Sequence, residues 1–320
     1  MTTYKEIFGK YVKNYSSDPS SDIEGQVWYN STTGVFKTNL AGAAAWAAGG
    51  NMGTARQAPA GAGTQIAGLG FGGFTTVNVA NTEEYDGSAW TGGGNLGTAR
   101  RTLAGAGTQT SALGFGGYTT VSLANTEEYD GSAWTGGGTM NTARATLAGA
   151  GTQTAGLAFG GYSSYPTGVN STEEYDGSAW TAGGNLATAR RALAGTGLQT
   201  AGLAFGGNSG SITAATEEYD GSAWTSGGSL NTARDSLAGC GLQTAGLGFG
   251  GFTTVNVANT EEYNGTSWTA STALTTARRA LAGAGTQTAG LAFAGFTTAN
   301  SAATEEYSDP TFTTKTITTS

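Results

Sequence analysis

The chain of 320 residues has only 11% charged positions, 56 glycines, four prolines and no histidine, which excludes histidine-based catalytic and zinc sites. Hydrophobic residues at 38% and aromatics at 10% suffice for a packed core, and glycine without a Gly-X-Y period argues for turn-dense β structure over collagen or disorder. A net charge of −8 offers no electrostatic footprint for nucleic acid, and the single cysteine, Cys240, excludes an intramolecular disulfide and a cysteine-rich metal site.

In chain order, residues 1–39 come first and hold four of the five lysines. They contain no apolar leader segment, and no apolar run in the chain approaches the roughly 20 residues that span a bilayer, so the expectation is cytosolic synthesis without membrane insertion. Gln26 to Tyr29, a turn through Asn30 to Gly34, and Val35 to Lys37 predict a β-hairpin, making 1–39 an N-terminal arm. Asn14, Asn30, Asn170 and Asn264 head N-x-Ser/Thr sequons, which matter only in a glycosylating host.

From about residue 40 the chain repeats itself. The tyrosines of six EEY triplets, Tyr85, Tyr129, Tyr175, Tyr219, Tyr263 and Tyr307, are spaced 44, 46, 44, 44 and 44 residues apart. Six TAR triplets end in Arg56, Arg100, Arg144, Arg190, Arg234 and Arg278, and six tryptophans, Trp46, Trp90, Trp134, Trp180, Trp224 and Trp268, keep the same rhythm. One repeat read from Arg100 resolves into four short strands: RRTLAGAG, SALGFGG, TEEYD and WTGGG, separated by Gly-rich and Asp-Gly turns. A period near 44 with four strands is that of a propeller blade, so an all-β six-bladed β-propeller is expected over residues 40–310. Because the tryptophan strand occurs first at Trp46 and the tyrosine strand last at Tyr307, the N-terminal strand should complete the last blade. The Thr-rich tail 311–320 suits either an edge strand beside the hairpin or a flexible end.

The expected meander places the arginines, the loop after Gly-Gly and the glutamates on one side, and the TQT and DGSA turns on the other. Alternation along a strand sends the two carboxylates of each EEY doublet to opposite sheet faces, so the TAR arginines should meet them as structural ion pairs. The rival reading is an arginine ring that captures a carboxylated or phosphorylated ligand. Among the repeats, only the loop after Gly-Gly varies appreciably. Phe74, Tyr118, Tyr162, Asn208, Phe252 and Phe296 occupy its start, and Tyr165 stands in the one lengthened loop. Aromatic faces beside Thr, Ser and Asn make these seven residues candidates for glycan contact, or else loop anchors. No catalytic residue is assigned: the Glu doublets recur identically, whereas a glycosidase needs one asymmetric acid pair at a set separation. Neither a metal site nor a cofactor is expected.

The order Arg100, Gly116-Gly117, Glu128-Tyr129-Asp130 and Trp134 resembles the kelch repeat, six times over and across roughly 270 residues; the last copy departs at Ala294-Gly295 and Ser308. That resemblance implies a kelch-type propeller. The segment SSDPSS followed by EGQVWYNSTTGVFKTNL resembles a short module near the start of tail or fibre structural proteins of tailed phages. It implies a non-enzymatic virion protein that forms a homo-oligomer. The arm would dock to other virion subunits, and the propeller would serve assembly or contact a host-surface glycan or protein. The alternatives are a bacterial surface or extracellular-fibre adhesin and a polysaccharide-active enzyme.

Overall fold

The computed structural model describes residues 12–19, 26–309 and 312–317, with backbone alone for 39–41 and 312–316. The remainder of the N-terminal arm lies outside the described residues. Two compact units result, Met1–Ala45 with Asp309–Ser320, and Trp46–Ser308. No helix occurs among the described residues.

In the first unit, Val27–Asn30 pairs antiparallel with Val35–Ala41 across a turn at 31–34, as the hairpin pattern predicts. Lys13–Tyr15 adds in parallel on one side and Phe312–Thr316 antiparallel on the other. The tail therefore takes the edge-strand option. Asp18 ties the sheet together by accepting from Trp28 Nε1 (3.3 Å), Asn30 Nδ2 (2.8 Å) and Lys37 Nζ (2.7 Å).

The second unit repeats one four-stranded antiparallel sheet. In sheet I the strands are Ala60–Thr64, Ala67–Phe71, Thr82–Tyr85 and Trp90–Gly92, paired in that order. Sheets II to V begin at Ala104, Ala148, Ala194 and Ala238 and follow the same order. Sheet VI uses Ala282–Gly285, Ala289–Phe293, Thr304–Ser308 and, from the other end of the chain, Ala45–Ala48. Repetition of such sheets is consistent with a propeller. The first strands begin four residues after the TAR arginine, not at it. Ala58, Thr102, Thr146, Ala192, Ser236 and Ala280 intervene with φ between 50° and 54°, a left-handed conformation that interrupts the extended ladder.

Apolar burial explains the recurring aromatics. The six EEY tyrosines are fully buried, and removing a ring of about 150–250 Å² from water at ~25 cal/mol per Å² contributes about 4–6 kcal/mol gross. Each tryptophan packs on its own sheet's tyrosine and on the phenylalanine of the preceding sheet, as Trp134 does with Tyr129 (5.0 Å) and Phe71 (4.7 Å). Trp46 does the same with Tyr307 and Phe249, both at 5.1 Å.

Small residues in the first strands follow from crowding. A Cβ on Gly105 would lie 2.6 Å from Gly61 O and 2.8 Å from Phe71 Cζ of the preceding sheet, and a Cβ on Gly61 would lie 2.6 Å from Gly283 O. The six first strands together line a cavity of about 220 Å³.

Candidate ligand-binding face

Polar groups that recur in every repeat are engaged between or within sheets. Each TAR arginine is fully buried and pairs with the first glutamate of its own sheet, at N–O distances from 2.5 Å (Arg234 with Glu261) to 3.2 Å (Arg56 with Glu83). Arg144 also donates to Gly160 O (3.0 Å) and Ser171 O (2.7 Å). Desolvation pulls these guanidinium pKa values below their ordinary range, and the paired carboxylate opposes the shift. The carboxylate's second oxygen accepts a backbone N–H, for example from Gly97 to Glu127 at 2.6 Å. The six arginines form no surface ring, so the ligand-capture reading fails on burial.

The second glutamate of each doublet serves the next sheet. Tyr129 Oη donates to Glu84 Oε1 (2.5 Å) and Tyr175 Oη to Glu128 Oε1 (2.6 Å); Tyr85 returns the pattern to Glu306 (2.5 Å). Desolvation first, then the hydrogen bond to glutamate, pushes the hydroxyls of Tyr85, Tyr129, Tyr175, Tyr219 and Tyr263 up to about 12.

Two further sets of bonds escaped sequence reasoning. The turn glutamines reach back to the preceding sheet: Gln109 Nε2 donates to Gly68 O (3.0 Å) and Tyr85 O (2.7 Å), and Gln65 to Gly290 O and Tyr307 O. The left-handed residues also bond to one another through the backbone. Thr102 N donates to Ala58 O, Thr146 N to Thr102 O, Ala192 N to Thr146 O, Ser236 N to Ala192 O, Ala280 N to Ser236 O, and Ala58 N to Ala280 O, all at 2.7–2.9 Å. That series returns to its start. Recurrence of Gln in all six TQ or LQ turns was the available sequence signal; the left-handed series had none, since Ala, Thr and Ser share the position.

The variable loops project from the opposite end of each sheet from those glutamines. The residue after each TAR pins its loop by paired backbone bonds, as Arg101 N to Tyr118 O (3.1 Å) and Tyr118 N to Arg101 O (2.8 Å). Loops also bridge onward: Asn256 Nδ2 donates to Phe296 O (3.1 Å) and Thr297 O (2.8 Å), and Asn300 Nδ2 to Phe74 O and Thr75 O.

The seven loop candidates are all on this face, but they are not equivalent. Phe74 and Tyr118 hold the Arg101 guanidinium at 4.5 and 5.2 Å from their centroids, and Phe252 and Phe296 hold Arg279 at 4.6 and 5.3 Å. Those four rings are half-buried and lie against an arginine guanidinium. Tyr162 is half-buried, with its ring 5.6 Å edge-on from Tyr165, and desolvation raises its hydroxyl pKa. Asn208 donates to Asp235 Oδ2 (3.4 Å) and accepts from Gly210 N (3.0 Å). Tyr165 is 68% exposed.

A cleft of about 480 Å³ opens here, lined by Pro166, Thr167, Arg191, Asn208, Ser209 and neighbouring backbone. No cluster of three or more metal-ligating side chains occurs among the described residues. Of the sequons, Asn30 is buried and committed on both side-chain atoms to Asp18 and to the Thr32 and Thr33 amides, while Asn14 and Asn264 are exposed.

No protein-family model matches the chain, and no curated protein matches it in sequence. Fold and face together describe an all-β protein of repeated four-stranded antiparallel sheets whose variation is concentrated in one set of loops.

Proposed function

We propose that the chain is a non-enzymatic binding and assembly protein of the virion, of the tail or fibre type found in tailed phages. Its larger unit is a closed, six-bladed kelch-like β-propeller, and residues 1–39 anchor it to sister copies and other virion subunits. Closure is supported by sheet-to-sheet bonds that return from sheet VI to sheet I: Gln65 to Tyr307 O, Ala58 N to Ala280 O, and Tyr85 to Glu306.

One observation carries the binding reading. The recurring arginines, glutamates, tyrosines and glutamines have partners inside the fold, so the chemistry free to differ between repeats lies on the loop face. A surface that varies on an invariant support suits recognition of a host-surface glycan or protein.

Electron cryomicroscopy of intact particles, with the protein tagged at its C terminus, tests the assignment. The expected image has several copies per particle, with residues 1–39 at the intersubunit contacts. Finding the protein instead as a monomer on a bacterial envelope would replace the virion reading with adhesion. Release of reducing ends from a bound polysaccharide would overturn the non-enzymatic assignment.

A further inference from the structure

The arginines of Trp46–Ser308 fall into two groups. Six are buried against glutamate. The other three, Arg101, Arg191 and Arg279, follow a TAR triplet, are half-exposed, and have no ion pair among the described residues. Arg101 and Arg279 are each held between two rings.

Arg191 is different. A ring contacts it on one side only, Tyr165 at 4.9 Å, and its Nε donates to Pro166 O at 3.0 Å. Its terminal nitrogens have no hydrogen-bond partner among the described residues, and the residue lines the 480 Å³ cleft with Thr167, Asn208 and Ser209. This is the place where the repeat spacing lengthens from 44 to 46 residues, and the longer loop forms a short hairpin, Tyr162–Ser164 with Thr167–Gly168, that brings Tyr165 to Arg191.

We propose that this cleft binds the carboxylate of an acidic sugar, a uronic or sialic acid unit of a glycan. The inference rests on the binding reading above and deepens it to one site and one ligand class. A planar guanidinium whose Nε is already committed, and whose two terminal nitrogens are not, matches the two oxygens of a carboxylate. Tyr165 stacks on the guanidinium and holds it at the cleft, and the Thr167 and Ser209 hydroxyls in the lining are of the kind that bond sugar hydroxyls. Charge selects a monoanion. The cleft has one cation, and Asp235 stands behind it at 3.4 Å from the Asn208 amide, so a phosphate dianion would lack a second positive partner.

The full-length protein is titrated calorimetrically with trigalacturonate and sialyllactose, each against its neutral counterpart, galactotriose and lactose. At least one acid should bind at least tenfold more tightly than its counterpart. Arg191→Gln should weaken that binding at least tenfold with an unchanged thermal midpoint, and Arg191→Lys should recover only part of it, because the charge returns without the fork. Leu242→Ser, at the exposed end of the strand Ala238–Leu242 and at the other end of its sheet, should bind as wild type. Equal affinity for acid and neutral sugars, or full affinity in Arg191→Gln, overturns the acidic-sugar site while leaving the binding reading standing. Absence of binding by all four probes at millimolar concentration also overturns it, and the particle imaging then decides the broader assignment separately.

Discussion

Replacing Arg144 by Met tests the assignment of the TAR arginines as buried structure. The side chain is fully buried and donates to Glu173 Oε1 at 2.8 Å, Gly160 O at 3.0 Å and Ser171 O at 2.7 Å. Methionine fills much of the volume and supplies none of the donors. Glu173 keeps one partner, the Asn141 amide at 2.6 Å, and becomes a buried carboxylate without its countercharge. Removing one member of a buried pair costs about 3–5 kcal/mol, dominated by the charge left behind. For a unit the size of Trp46–Ser308, each kcal/mol moves the melting midpoint by about 2–4 °C, so differential scanning calorimetry should show a fall of about 6–20 °C. The double variant Arg144→Met with Glu173→Leu should recover most of that loss, because it removes the stranded charge. Arg100→Met should match Arg144→Met within about 1 kcal/mol, since Arg100 is equally buried and paired. A loss below about 1 kcal/mol in the single variant refutes the burial argument and restores an accessible arginine ring.

Four other perturbations address the packing. The raised tyrosine hydroxyls hold their protons more tightly when folded, up to about 12, than at the ordinary tyrosine value of 10.0. The sign follows: their contribution is fully present below about pH 10 and is lost as pH rises toward about 12. Circular dichroism and tyrosinate absorbance should therefore change together in that window; ionisation of the buried tyrosines at lower pH with the fold intact contradicts it. Gly105→Ala should cost about 1–3 kcal/mol in a urea titration because its Cβ meets Gly61 O and Phe71. Gly136→Ala, with nothing within 4 Å, should stay within about 0.5 kcal/mol of wild type. Trp46→Ala should cost about 3–5 kcal/mol and expose sheet VI to limited proteolysis, since Trp46 packs on Phe249 and Tyr307 and donates to Thr260; a loss below about 1 kcal/mol counts against the role of Ala45–Ala48 as the outer strand.

Much of this architecture is legible from period alone. The spacing of Tyr and Trp gives four-stranded units, and the early Trp46 with the late Tyr307 points to a strand shared between the chain's ends, where Ala45–Ala48 stands in the structure. The Glu-Glu alternation separates the two carboxylates as expected, but arginine meets only the first, within its own sheet; the second accepts from the tyrosine of the next sheet, a partner the alternation does not announce. Partnerships that cross repeats are less legible. Gln109 bonds carbonyls 41 and 24 residues away, and a carbonyl leaves no trace in the identity of its residue. Phe74 reads from the sequence as either a glycan-facing ring or a loop anchor, and the sequence does not show Arg101 of the next repeat lying over it.

The departures from strict repetition fall where these bonds leave room. At Gly72, Gly116, Gly160, Gly206 and Gly250 the backbone is left-handed, and a Cβ on Gly72 would press on Arg100 O at 2.7 Å and on Leu103 Cδ2 at 3.0 Å. Ala294 takes the same conformation, φ 60°, despite its Cβ. By repeat equivalence the first repeat carries Pro59 where the second carries Leu103, so one of the two contacts that crowd Gly72 has a different side chain there. A departure in sheet VI is thus matched by one in sheet I, the two sheets joined by the Ala58 N to Ala280 O bond. The insertion in the third repeat is accommodated differently. It falls in residues 162–168, away from the arginine, tyrosine and glutamine bonds, and so adds Tyr165 to the face at the expense only of the loop-to-loop bridge, since Gly168 stands where Asn256 and Asn300 bond the next loop. Change there costs the fold little, and that is the physical reason to look for specificity beside Arg191 and not along the cavity that the six first strands line.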